Sequence, residues 1–255
     1  MESSIHRQKI ISQFTTQSRP FAEMPAHSEN FSLEVFRELG GFSGKERVLD
    51  SGCGPGLVSL YLSEFVGQIV GVDLTPSMVQ LAAETALKSA IGNASFFQGD
   101  MTALPFPADC FDAAVTRYAF HHLEHPGAAF AEMLRVTRPH GKIIVVDVTP
   151  EASKRKAYDG FERLRDPSHT AALTLEELIS LGTDHGLRNP EVIRFGLEMD
   201  ARRLLASSFP ETVSRKHLLG LLAGDLWEDA LSFGIRKEED VLTMTFPVTA
   251  VGWRL

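Results

Sequence analysis

From Glu46 to Asp147, five short apolar runs alternate with stretches of helical character, and this alternation constrains the chain more than any other feature. The runs are Glu46–Asp50 (ERVLD), Gln68–Asp73 (QIVGVD), Ala94–Gln98 (ASFFQ), Phe111–Arg117 (FDAAVTR) and Lys142–Asp147 (KIIVVD). Leu57–Phe65, Pro76 to about Ala90, and Ala128–Val136 read as the helices between them. Short continuous apolar runs suit strands buried from both sides. Strands that alternate with helices require right-handed crossovers, hence a parallel sheet covered on both faces. Local signals agree. Thr75 suits an N-cap and Pro76 the first helical position, and Arg138-Pro139-His140-Gly141 ends the helix before the fifth strand.

The rest of the chain is less regular. Thr174-Leu-Glu-Glu177 matches a capping box opening a helix to about Gly186. Glu191–Leu197 and Val241–Val251 alternate as strands, and a Leu-rich helical insertion, about 201–233, lies between them. Ile5–Leu39 reads as helical, with Ile5, Ile10, Ile11 and Phe14 serving either a lid or plain packing. Phe14, Phe21, Phe31, Phe36, Phe209 and Trp227 in the two lid candidates suit an apolar or aromatic ligand and equally ordinary packing. At 255 residues the chain suits one domain. Its parts are an N-terminal helical lid (1–45), a core that binds a cofactor (46–150) and a substrate-side region (151–255). A formal charge of -8 disfavours a nucleic-acid partner. Cys53 and Cys110 have no paired metal spacing. No stretch approaches the roughly 20 apolar residues of a membrane span, and Met1–Gln13 lacks the apolar segment of a signal peptide. The expectation is a cytoplasmic protein with no metal and an open oligomeric state.

The first strand runs into Asp50-Ser51-Gly52-Cys53-Gly54-Pro55-Gly56. Glycines at a strand–helix junction let the backbone turn tightly and approach a ligand. In open α/β sheets such junctions lie at the ligand-binding edge. The third glycine comes one residue too early for the dinucleotide pattern G-x-G-x-x-G, and Leu57 stands in its place. Asp50 before the first glycine suits an ammonium better than a pyrophosphate. Asp73, 17 residues after Gly56, can accept from both hydroxyls of a ribose. Asp100 and Met101 after the third strand suit an adenine amino group and its ring. A lone strand-end Asp is usually a solvated cap; three in register fit a cofactor with amine, ribose and adenine handles and no diphosphate.

The segments VLDSGCGPG, GVDLTPSM, GDMTALPFPADCFDAAV and EMLRVTRPHGKIIVVD resemble the class I S-adenosylmethionine-dependent methyltransferases. They are similar to the small-molecule group that includes the quinone-biosynthesis C-methyltransferases. The resemblance covers about Glu46 to Pro150. It implies a seven-stranded Rossmann-like sheet, parallel with one antiparallel strand, and S-adenosylmethionine as cofactor. It implies cofactor contacts at Asp50, Ser51, Gly52, Cys53, Gly54, Asp73, Leu74, Met78, Asp100, Met101 and Arg117. Arg117-Tyr-Ala-Phe-His-His122 and Arg165-Asp-Pro-Ser-His169 look like a bacterial subgroup of these enzymes. The family's glycine at position 140 is replaced by His140, which predicts a local backbone adjustment.

Methyl transfer needs a base only when the acceptor must lose a proton, as a phenol or activated carbon acid does. His121 or His122, after the fourth strand, is the first candidate; both equally suit lining or capping the following helix. His169 is the second candidate base, and Arg165 a candidate anchor for a carboxylate. Asp166 and Ser168 read as helix caps, and Cys53 as a small residue chosen for fit. Arg117 reads as contacting the cofactor through its backbone or an anionic substrate through its guanidinium. The acceptor is expected to be a small molecule. A base-modifying nucleic-acid methyltransferase is disfavoured, since Thr116-Arg-Tyr-Ala-Phe stands where the Asn/Asp-Pro-Pro-aromatic motif belongs. A nicotinamide oxidoreductase is disfavoured by the glycine spacing. A cofactor-binding protein that transfers no methyl group shares all these motifs and stays open.

Overall fold

The computed structural model describes residues 2–22 and 30–255, with the side chains of 5–19 and 31–255. Phe21 therefore lies outside the described side chains. Nine helices and eight strands follow one another among the described residues: α1 (Glu2–Ala22), α2 (Asn30–Gly40), β1 (Arg47–Ser51), α3 (Leu57–Leu62), β2 (Gln68–Asp73), α4 (Pro76–Lys88), β3 (Ala94–Gln98), β4 (Phe111–Arg117), α5 (Pro126–Val136), β5 (Thr137–Val148), α6 (Arg155–Arg165), α7 (Leu175–Thr183), β6 (Glu191–Asp200), α8 (Ala201–Ala206), α9 (Arg215–Gly224), β7 (Arg236–Glu238) and β8 (Val241–Arg254). A 3-10 turn, Phe120–His122, follows β4.

The sheet order is β3-β2-β1-β4-β5-β8-β6, with β7 paired to β8 off the main path. Strands β1 to β5 are parallel. β8 runs antiparallel to both neighbours. The main path thus has seven strands with one reversed, as expected, and the three-residue β7 makes the sheet eight-stranded. Sequence marked no strand at β7; it is short and fully exposed. The insertion between β6 and β8 is less helical than expected, holding only α8 and α9 before turns that lead to β7.

Alternate residues of each strand feed opposite cores, because side chains alternate across a strand. Val48, Ile69, Ala113, Ile144 and Val146 face a core with α2, α3, α6, α8 and α9. Leu49, Val70, Ala114, Ile143 and Val145 face the other, with Phe130 and Met133 of α5 and Leu178 of α7. Double-sided burial explains why these strands read as continuous apolar runs. α7 opens with the predicted capping box: Thr174 Oγ1 accepts from Glu177 N, and the Glu177 carboxylate accepts from Thr174 N. The turn before β5 is absorbed into the strand's start, where His140 takes a φ of +67°. His140 thus takes a left-handed backbone conformation that glycine adopts more readily.

Two features prepare the site. Strand β5 stops at Val148, paired with Val248. β6 and β8 continue as a two-stranded ribbon beyond it, pairing Gly196–Asp200 with Pro247–Thr243. The ribbon carries side chains past the carboxyl edge of the sheet. α1 packs on α4 and overhangs the same edge. No helix among the described residues is long and apolar enough to cross a membrane.

Candidate functional site

The carboxyl ends of β1, β2 and β4 and the loop after β3 open on one cleft of about 880 Å³. Asp50 and the glycine loop form its floor. Gly54, at φ +52°, has open space where a Cβ would stand, and its N–H donates to Asp73 Oδ2 at 2.8 Å. Gly56, at φ +85°, would bring a Cβ within 2.9 Å of Ala82 in α4, so the loop packs too closely for a side chain there. Asp73 Oδ1 accepts from Thr75 N at 2.8 Å. Its carboxylate thus ties the glycine loop to the start of α4, while each oxygen keeps a lone pair for a ligand hydroxyl. Burial raises its pKa against those backbone bonds.

Asp50 is almost fully buried. Its Oδ2 accepts from Ser59 Oγ at 2.6 Å, but its Oδ1 has no partner among the described residues. Burial pushes its pKa up to about 6, opposed by Ser59 and by the Arg117 charge. An orphaned carboxylate oxygen costs free energy and fits an incoming ammonium, whose charge would lower the pKa again. Leu74, Met78 and Met101 supply apolar wall. This donor set fits S-adenosylmethionine: a carboxylate for the amine, a second for the ribose and apolar contacts for the adenine.

Asp100 adds a complication. Its Oδ1 accepts from Thr102 N and Oγ1, and its other oxygen pairs with Arg7 of α1. The N-terminal helix therefore holds the carboxylate expected for the adenine amino group. Since Arg7 is half exposed, the pair is worth about 0.2–1 kcal/mol, a latch a ligand can displace. Cys53 and Arg117 also line the cleft; Ser51 does not, being sealed behind it. Arg117 is buried and donates to Ser32 Oγ at 2.9 Å, with burial lowering its pKa.

A second cleft of about 670 Å³ adjoins the first, and Phe14, Tyr118 and His122 line both. Its apolar walls include Leu197 and Met199 of β6, Leu204 of α8 and Phe246 of β8. Its polar side holds His121, Glu162, Arg165 and Asp166. Glu162 grips Arg165 two-fold, at 2.9 and 2.5 Å, with both groups largely buried. The guanidinium expected as a candidate anchor for a substrate carboxylate lines this cleft but already holds a carboxylate of its own helix, and its Nη1 donates to Ser208 Oγ at 3.3 Å.

The two adjacent histidines diverge. His121 Nδ1 lies 2.6 Å from Asp147 Oδ1 at the end of β5. Burial works against its charge, but the Asp147 carboxylate outweighs it and raises the pKa. Asp147 is lowered in turn, again against burial. Its second oxygen accepts from Phe120 N at 2.8 Å, which fixes the 3-10 turn. His122 Nδ1 lies 3.1 Å from Ser168 Oγ, which donates to Asp166 Oδ1 at 2.6 Å. Burial, then the neighbouring His121 charge, pushes its pKa down to about 3. The ring is therefore neutral near neutral pH.

His169 does not reach either cleft. Its ring is sealed in, with Nε2 2.8 Å from Asp159 Oδ1 and 5.5 Å between its centroid and that of His121. It packs behind His121 instead of serving the cleft as a base. Asp147, Tyr118, Asp166 and Ser168 are the site groups that sequence reading passed over or took as caps. Asp147 had a signal, since it stands next to last in its strand, as Asp50 does in β1, and Asp73 ends β2. Tyr118, at φ +54° after β4, had none. Among the described residues no group of His, Cys, Asp and Glu is arranged to hold a metal ion.

Comparison with known proteins gives the family and the fold. Residues 49–145 match the family described as methyltransferase domain. The chain is 31% identical over 186 residues to the uncharacterized methyltransferase YcgJ of Bacillus subtilis, covering 72% of this chain and 74% of that one. The crystal structure of YcgJ superposes with a TM-score of 0.81 at 26% identity, covering 89% of this chain and 98% of the other. The ubiquinone/menaquinone biosynthesis C-methyltransferase UbiE of Pseudomonas putida is 33% identical over 130 residues, 49% of this chain and 51% of UbiE. The match thus spans about half of that relative. The Haemonchus contortus phosphoethanolamine N-methyltransferase 2, solved with S-adenosyl-L-methionine, shares the fold with a TM-score of 0.62 at 19% identity, over 89% of this chain and 52% of that one.

Proposed function

Because the chain belongs to the class I S-adenosylmethionine-dependent methyltransferases, we propose that it methylates a small molecule held in the second cleft, with His122 as the base. Bound S-adenosylmethionine supplies the activated methyl group. The residues supply position and dryness, and holding two reactants in line is worth about 7–11 kcal/mol of barrier. Asp50 takes the amine and Asp73 the ribose, and Leu74, Met78 and Met101 flank the adenine. Phe14, Tyr118 and His122 form the neck through which acceptor and methyl group meet. The observation that supports this reading is the place of His122, whose ring lines both clefts.

The electrostatics narrow the acceptor. His122 is held neutral, so it is free to take a proton, but its low pKa makes it a weak base. It therefore suits an acceptor whose proton is already acidic, such as a phenol, an enol or an activated carbon acid. His121, whose pKa the Asp147 carboxylate raises, faces the same cleft and in its protonated form favours a developing anion. The apolar walls suit a flat or aliphatic body. The charged groups are internally paired, which disfavours a highly charged acceptor.

Methyl-labelled S-adenosylmethionine incubated with the protein and a small-molecule cell extract tests the reading, with Asp73→Ala as control. Label entering an acid-hydroxyl or carbon-acid compound only with the intact protein is the expected result. Label entering protein or nucleic acid instead would overturn the small-molecule acceptor.

A further inference from the structure

The segment after α6, Asp166-Pro167-Ser168, reads in sequence as a helix stop, but it lies against the histidine turn. We propose that Asp166 and Ser168 are positioning residues that lock His122 in the tautomer with its proton on Nδ1, so that Nε2 carries the free lone pair. The structural statement stands alone; its catalytic meaning rests on the reading of His122 as base.

Ser168 Oγ has one hydrogen. Asp166 Oδ1 is 2.6 Å away and also accepts from Ser168 N at 2.9 Å. An ionised carboxylate only accepts, so the hydroxyl proton goes to it. Ser168 Oγ then offers only lone pairs to His122 Nδ1 at 3.1 Å. That contact is a hydrogen bond only if Nδ1 donates. A neutral imidazole has one N–H, so Nε2 is left bare. No described residue hydrogen-bonds to it.

Of the groups that hold Asp166 ionised, the Arg165 guanidinium is independent of the His122–Ser168 contact. Against its burial act the facing His122, the Arg165 guanidinium and the Ser168 donors, and its pKa is lowered. The other groups around the ring are His121 with Asp147 on the sheet side, His169 behind, Glu162 and Arg165 from α6, and His6 from α1. None of them competes for Nδ1. The main chain is clamped as well: His6 Nε2 and Thr170 Oγ1 both contact His122 O, at 2.7 and 3.1 Å. Thr170 N also donates to His121 O at 2.9 Å. The segment that supplies the serine thus also fixes the backbone of both histidines, and the ring has little freedom to choose another partner.

Nitrogen NMR of protein labelled with 15N-histidine reads the tautomer without any acceptor. His122 is assigned by its loss in His122→Gln. In the intact protein, with and without S-adenosylhomocysteine, Nδ1 is expected to be protonated and Nε2 bare from pH 6 to 8. Ser168→Ala removes the acceptor and is expected to move the ring to a mixture or to the Nε2–H form, while Ser168→Thr retains the native signal. Binding of S-adenosylhomocysteine within about three-fold of wild type shows that each variant is folded. An Nε2–H ring in the intact protein, or a folded Ser168→Ala with the native tautomer, overturns the proposal. Failure of the methyl-transfer reading shows differently: no variant moves label, and the NMR result is unchanged.

Discussion

The two clefts that meet at His122 are built in opposite ways. The cofactor cleft is made of strand ends that follow one another along a single stretch of chain, 50–123, with Ile10 and Phe14 added from α1. Asp73 and Asp100 accept from backbone N–H groups two residues on, Asp73 also from Gly54 in the loop after the neighbouring strand, 19 residues back, and Asp50 from Ser59. The acceptor cleft draws on α1, the turn after β4, α6, β6, α8 and β8. Its polar groups are paired largely across the fold: His121 with Asp147 and His122 through Ser168 with Asp166, while Arg165 meets Glu162 one turn away on α6. A cofactor shared by many enzymes can be gripped by local, rigid geometry. A particular acceptor needs a wall assembled from distant parts, which can change without disturbing the grip.

The sharpest break of that contrast is Asp73→Ala. It removes the ribose acceptor and unties Gly54 and Thr75, so S-adenosylhomocysteine affinity is expected to fall by about 100-fold or more, at 1.5–3 kcal/mol per charge-assisted hydrogen bond. Isothermal titration measures it. Retained affinity would mean that the cleft holds the cofactor in some other way. Next comes His122→Gln. Loss of a general base is expected to lower kcat about 10²–10⁴-fold, with S-adenosylhomocysteine binding unchanged. If binding and turnover fell together, the ring would belong to the cofactor side and the division between clefts would fail.

Asp147→Asn tests the acceptor side through stability. A raised His121 pKa means a contribution fully present below its ordinary value of 6.5 and lost as pH rises through the folded value. A depressed Asp147 pKa means a contribution present above its ordinary value of 3.8 and lost as pH falls through the folded value. Wild type should therefore exceed Asp147→Asn by about 1–3 kcal/mol in denaturant melts at pH 5–6. That excess should shrink in alkaline buffer. An excess independent of pH would assign the loss to the backbone contact with Phe120 alone. The smallest effect belongs to Arg7→Ala. Releasing the latch on Asp100 should speed S-adenosylhomocysteine dissociation by no more than about five-fold, the equivalent of 1 kcal/mol. A larger change in stopped flow would make α1 part of the grip instead of its cover.

The sequence by itself determined the sheet and the cofactor edge. Those features depend on neighbours along the chain: apolar runs buried on both faces, glycines where φ is positive, and an acid at or beside the end of each of three strands. Even departures were local, as with His140 in a left-handed turn. The roles of the histidines were decided only in three dimensions. On paper His121 or His122 was the first candidate base and His169 the second, since each is an imidazole beside a strand edge or helix end. Tertiary contacts separate them: Asp147, 26 residues from His121, raises the pKa of one; Ser168, 46 residues from His122, fixes another; and Asp159 holds the third behind the wall. Arg165 is the exception, since its partner Glu162 lies three residues before it on the same helix, a spacing that the sequence carried. A side chain's charge and tautomer depend on what burial takes away and which partner restores it, and pattern along the chain records neither.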